Sequence, residues 1–200
     1  MKTQKTQRMA GALAALAISA FAAPAFGKGS GAAGSEKSGP AAAEQHAMVK
    51  DAEATVAFFR KADPDLARFF AAAVGYAVFP SVGKGAVGIG GAHGRGVLFE
   101  HGKPIGETSL TQVTIGAQLG GQAYSEIVFF ESEEALARFK KGELAMSAEV
   151  SAVVAATGAS ANARYAQGVA VFTLPKGGLM AEASVGGQKF GFTPFSRSTM

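Results

Sequence analysis

The 200-residue chain has no cysteine, and that absence removes several options at once. Disulfides, lipoprotein acylation at a processed N-terminus and cysteine-ligated zinc are all excluded. An ordered domain must therefore be stable through its core alone, which an apolar content of 48% permits. The chain also lacks an apolar run long enough to span a bilayer. The best candidate, Met9 to Phe21, falls short of the roughly 20 residues a spanning helix needs. Strong charge of one sign is missing too. The formal charge is +4, but three of the 19 basic residues and none of the 15 acidic ones precede residue 26, so the remainder carries +1. That is too little for general attraction to nucleic acid, which is not expected as a partner, or to an anionic membrane.

What the N-terminus does contain reads as a targeting segment. Lys2, Lys5 and Arg8 form a basic stretch, the run to Phe21 is apolar or small, and Ala23-Pro24-Ala25 offers small residues for cleavage. Residues 1–25 are expected to be a removed signal peptide, with cleavage after Ala25 or Ala22, and the protein to be exported to the periplasm or medium. Residues 26–43, rich in Gly, Ala and Ser, suit a flexible linker, leaving 44–200 as one domain.

Glu44 to Ala62 carries Met48, Ala52, Val56 and Phe59 at helical spacing. Asp63 before Pro64 should end that helix and cap a second one reaching about Ala73. From Gly75 the pattern changes, with 13 of the 27 glycines falling between Gly75 and Gly121. Short apolar runs between glycines predict strands and tight turns. Strands are expected at Tyr76–Phe79, Ala86–Ile89, Gly96–Phe99, Val113–Gly120 and Ser125–Phe130. Further ones are expected around Leu144–Ala155, Arg164–Leu174, Leu179–Val185 and Gln188–Phe192. In the clearest, Val113, Ile115, Ala117 and Leu119 share one face while Thr114, Gly116, Gln118 and Gly120 share the other, as in a half-buried strand. Gly88 and Gly90, two apart, should also share a face. One helix interrupts the strands, capped by Ser132, with Glu133 and Glu134 in its first turn and Lys140 and Lys141 at its end. The fold class is α+β: helices, then a glycine-rich, strongly curved or closed antiparallel sheet.

Catalytic signatures are not evident. Gly83, Gly85 and Gly88 outline a dinucleotide loop, but Ile89-Gly90-Gly91 continues a strand where a helix should begin. His46, His93 and His101 are not at metal-ligand spacing, and no two of the scattered glutamates are marked as an acid/base pair. A non-enzymatic protein without metal or cofactor is expected.

The order of motifs resembles a known family. Tyr76-Ala77-Val78-Phe79-Pro80-Ser81-Val82-Gly83-Lys84-Gly85, then Gly88-Ile89-Gly90-Gly91 and Gly94-Arg95-Gly96-Val97-Leu98, look like the signature of the SYLF domain family. Ile115 to Gly121, Ile127 to Phe130, Pro175-Lys176-Gly177-Gly178-Leu179 and Gly186-Gly187 continue it in order. The resemblance implies phospholipid binding, and in some members actin binding. The signal-like N-terminus points to a compartment without actin or phosphoinositides. Envelope phospholipid is therefore the expected ligand, and actin is expected only if the protein is delivered to a host cell. The alternative is a structural or protein-interaction module of the envelope without lipid affinity. As headgroup contacts the candidates are Lys84 and Arg95, in the family-like segment, followed by Lys140 and Lys141.

Overall fold

The computed structural model describes residues 40–146, 153–154 and 156–196. The expected signal peptide and most of the expected linker lie outside them. Helix α1 spans Pro40–Ala62, beginning inside the segment expected to be a linker. The residue types explain the difference. Alanine counts as small in a linker composition but is the best helix former, and proline fits a first helical turn, where its missing N–H is not needed. The helical stripe is as expected, with Ala52 and Phe59 fully buried and Met48 and Val56 packed against the same cluster.

Asp63 follows as a cap. Its carboxylate accepts hydrogen bonds from the amide of Asp65 (3.2 Å) and, far along the chain, from the amide of Ser160 (2.8 Å). A single turn of 3-10 helix, Pro64–Leu66, leads into α2, Ala67–Ala72, so the second helix is shorter than the sequence suggests.

Three strands dominate the rest: β1, Gly75–Glu100; β2, Lys103–Phe130; and β5, Val169–Pro194. Between β2 and β5 come α3, Glu133–Lys140, and two short strands, β3 (Ala145–Met146) and β4 (Val153–Val154). The Ser132 hydroxyl caps α3 by accepting from the Ala135 amide, as its sequence indicates. The short strands expected within 76–99, 113–130 and 179–192 are parts of these long ones. Glycine marks turns, but it also occupies strands at bulges and close approaches. The β1–β2 turn is only His101-Gly102, with φ of 48° and 76°, the positive pair that a tight two-residue hairpin loop requires. Elsewhere the glycine-rich stretches shift register without ending the strand, at Phe79/Val82, Val87/Ile89 and Leu98/Phe99. Of the expected strand at 144–155, the described residues are Leu144 and the short strands β3 and β4, and the strand expected from Arg164 begins at Val169.

The hydrogen-bonded order is β1-β2-β5-β3, antiparallel throughout, with β4 parallel to β5. The path has two ends, so of the two forms expected, strongly curved or closed, the closed one is not made by the described residues. The sheet is instead bent back on itself. Tyr76 and Phe99, at opposite ends of β1, stack with centroids 5.1 Å apart, and Phe79 of β1 meets Phe190 of β5 at 5.9 Å. Glycine permits this bend where the two halves of β1 touch. A Cβ on Gly96 would collide with the Val78 carbonyl, and one on Gly94 would lie 2.8 Å from a Val82 methyl.

Two apolar clusters result. The inner face holds Phe79, Leu98, Leu110, Val128, Phe130 and Phe190 against Leu136 and Phe139 of α3. The outer face holds Val78, Val97, Phe99, Ile127, Phe129 and Phe172 under α1 and α2. Thus Phe59, Phe69, Phe129 and Phe130 are core residues, while Phe58 is 65% exposed.

Candidate functional site

Beyond the helices, the described side chains in the middle of β1 and β2 are covered on one face only. Alternation is present at Val113, Thr114 and Ile115, yet its direction is the reverse of a half-buried strand with an apolar core. Val113, Ile115 and Leu119 point outward, whereas Thr114 is buried. Val87 and Ile89 of β1 join them, Val87 paired with Leu119 and Ile89 with Ile115. These five large apolar residues are between 57% and 80% exposed and, with Phe58, are the large apolar side chains recorded as exposed among the described residues. Such a concentration on one sheet face departs from the scattered exposure normal on a soluble surface.

Gly88 lies between Val87 and Ile89, where two residues of β1 span four of β2. Its φ of +72° and its exposure separate it from buried Gly90, so the two glycines do not share one face as equivalent strand positions. A left-handed residue does not obey strand alternation.

Behind the apolar face, the inner face carries a local group of polar side chains beside its apolar cluster. A half-open cavity of about 260 Å³ is lined by Lys84, Gln112, Gln122, Tyr124, Glu126, Thr173, Pro175 and Gln188. The register makes this set: Lys84 is opposite Gln122, Glu126 opposite Thr173, Tyr124 opposite Pro175, and Gln112 opposite Gln188. The fold-back of the sheet then brings distant positions together, so that Gln188 Nε2 donates to Glu126 Oε2 at 3.1 Å and Tyr124 Oη donates to Gln112 Oε1 at 3.4 Å. Glu126 is 1% exposed, and its burial pushes the carboxyl up to about 7 against the opposing effect of the Gln188 hydrogen bond. Two buried acceptors, Glu126 Oε1 and Gln188 Oε1, have no hydrogen-bond partner among the described residues.

The four cations singled out in the sequence do not form one patch. Lys84 lines the inner cavity. Arg95 is held between Glu107 (2.5 Å) and Glu44 of α1 (3.0 Å), and these two carboxylates raise its pKa further. Lys140 pairs with Glu100 at 2.6 Å, tying α3 to the end of β1. Lys141 is exposed at the C-cap of α3. Sequence reasoning missed the outward apolar face and Glu126. One signal was available for the latter, a carboxylate in the otherwise apolar run Ile127-Val128-Phe129-Phe130 that it precedes. Among the described residues no His, Asp and Glu cluster suits a metal ion, and no helix is long and apolar enough to cross a membrane.

Residues 111–193 match the model of a family described as Ysc84, Las17-binding protein actin regulator, which agrees with the SYLF resemblance. No curated protein matches the chain. The matched span contains Val113, Ile115 and Leu119 of the outer face and every cavity residue except Lys84.

Proposed function

We propose that this protein binds phospholipid membranes, acting by binding and not by catalysis, and that it does so through the outward apolar face around Val87, Ile89, Val113, Ile115 and Leu119. The observation that carries the proposal is the reversal of burial on that face, where Val113, Ile115 and Leu119 take the solvent side of the strand while Thr114 between them is buried. A bilayer reverses the usual preference, since it rewards apolar groups on the outside. The SYLF resemblance, supported by the family match over residues 111–193, points to the same ligand class. The signal-like residues 1–25 support an exported protein acting on envelope phospholipid.

Apolar contact, more than headgroup charge, is the expected source of affinity. Arg95 and Lys140 already have carboxylate partners, so they offer an anionic surface little net charge. The test is co-sedimentation of full-length protein with phosphatidylglycerol/phosphatidylcholine vesicles at low and moderate salt. Wild type should bind at both, and V87S combined with I115S should not. Equal binding by this double variant would remove the proposed surface, and self-association of wild type without vesicle binding would assign the face to protein contact.

A further inference from the structure

The polar cavity on the inner face is not used by membrane docking. Its lining is unusual for the interior of a bent sheet, with three glutamines, a tyrosine hydroxyl, a threonine, one lysine and one carboxyl group. Two of its acceptors, Glu126 Oε1 and Gln188 Oε1, are buried without a donor among the described residues. A buried acceptor left unpaired is costly, and more so when it belongs to a carboxyl group. A partner suited to both carries several N–H donors and a positive charge on one small atom.

We propose that this cavity is a binding site for a primary ammonium group, as carried by phosphoethanolamine, with Glu126 and Gln188 accepting its N–H donors. An ammonium offers three donors and one charge, so it can satisfy both free oxygens together. Lys84, partly exposed and lining the same cavity, would offer a positive charge to the phosphate that accompanies such an amine. A trimethylated ammonium has the same charge and no donor, and so should be rejected. The source of the amine is either a lipid headgroup or a soluble molecule. The headgroup assignment rests on the membrane-docking proposal; the amine site does not.

The titratable groups facing Glu126 in the cavity are Lys84 from β1 and Tyr124 from β2, while β5 contributes Thr173, Pro175 and Gln188, which do not titrate. Ammonium binding needs Glu126 ionised and is therefore expected to strengthen as the pH rises through about 7.

The experiment uses full-length protein at pH 8 in two arms. In the first, NMR follows the glutamine side-chain amides during titration with phosphoethanolamine or phosphocholine. Phosphoethanolamine should shift them saturably and phosphocholine should not, and E126Q should weaken the response at least tenfold. Q188M, which removes the second acceptor while keeping bulk, should weaken it as well, and circular dichroism checks that both variants fold. Equal response to both ligands, or to neither, would overturn the site and leave water as its occupant. In the second arm, vesicles of equal phosphatidylglycerol content carry either phosphatidylethanolamine or phosphatidylcholine. Preference for phosphatidylethanolamine that E126Q abolishes, with residual docking intact, supports a headgroup site. Response to soluble phosphoethanolamine without vesicle preference overturns the headgroup assignment and identifies a soluble amine. Failure of all vesicles to bind would remove the docking proposal alone, since the NMR arm stands without it.

Discussion

Gly96 lies against the carbonyl of Val78, a residue of the same strand eighteen positions earlier, so closely that no side chain fits between them. This contact lets β1 return along itself, and with Gly94 against Val82 it sets the curvature that brings Gln188 to Glu126. Replacing Gly96 by alanine is expected to destabilise the domain by about 3 kcal/mol through overpacking against backbone. Gly85 has nothing within 4 Å of its would-be Cβ, and alanine there should change stability by less than about 0.5 kcal/mol. Urea denaturation of both variants measures the contrast. Similar midpoints would show that β1 tolerates being straightened at Gly96.

Gly88 constrains the chain differently. Space is open around it, but its φ is +72°. Alanine is expected to cost about 1–2 kcal/mol from backbone strain alone, and valine more because of its branched side chain. A variant as stable as wild type would show that the register shift between Val87 and Ile89 can relax.

The outward apolar face should be separable from folding. Val87 and Ile115 are 80% and 66% exposed, so serine at both positions should change stability by about 0.5 kcal/mol or less each. The same changes should weaken vesicle binding about 100-fold, equivalent to roughly 1.5 kcal/mol for each side chain withdrawn from lipid. Loss of stability parallel to loss of binding would mean that the face is covered by part of the fold.

Glu126 makes stability depend on pH in a direction opposite to that of most carboxylates. Its folded pKa is raised, from 4.5 to about 7, so between these values the unfolded chain loses a proton that the folded protein keeps. Stability from this group is full below about pH 4 and falls as the pH rises toward 7, by up to about 3 kcal/mol. E126Q is expected to remove that fall and to be more stable than wild type at pH 8. Unfolding midpoints at pH 5 and 8 decide it, and an unchanged pH profile in E126Q would place the titration elsewhere.

Asp63 has the usual sign. Burial raises its pKa, but the amides of Ser160 and Asp65 outweigh burial and leave it lowered. Its stabilisation is present above the unfolded value near 4 and lost as the pH falls through the folded one. Asp63→Ala should cost about 2 kcal/mol at pH 7, from the lost cap and the stranded Ser160 amide. The deficit should shrink toward pH 3, as thermal melts across that range would show.

The sequence alone determined what local chemistry dictates. The stripe Met48-Ala52-Val56-Phe59, the Asp63-Pro64 stop and the Ser132 cap are read from side chains a few residues apart, and each is found in place. The period of two in Val113–Gly120 was equally legible, because alternation is a property of the strand itself. Whether its apolar side would be covered was not, for that depends on helices that reach one end of the sheet and stop short of its middle. The glycines were visible, but their roles were divided only by the tertiary structure: a turn at Gly102, a left-handed residue in a register shift at Gly88, close crossings at Gly94 and Gly96. Glu126 and Gln188 are 62 residues apart, and neither spacing nor composition links them. Only the bending of β2 and β5 closes that gap, since a strand's residues meet distant partners wherever the backbone itself can approach.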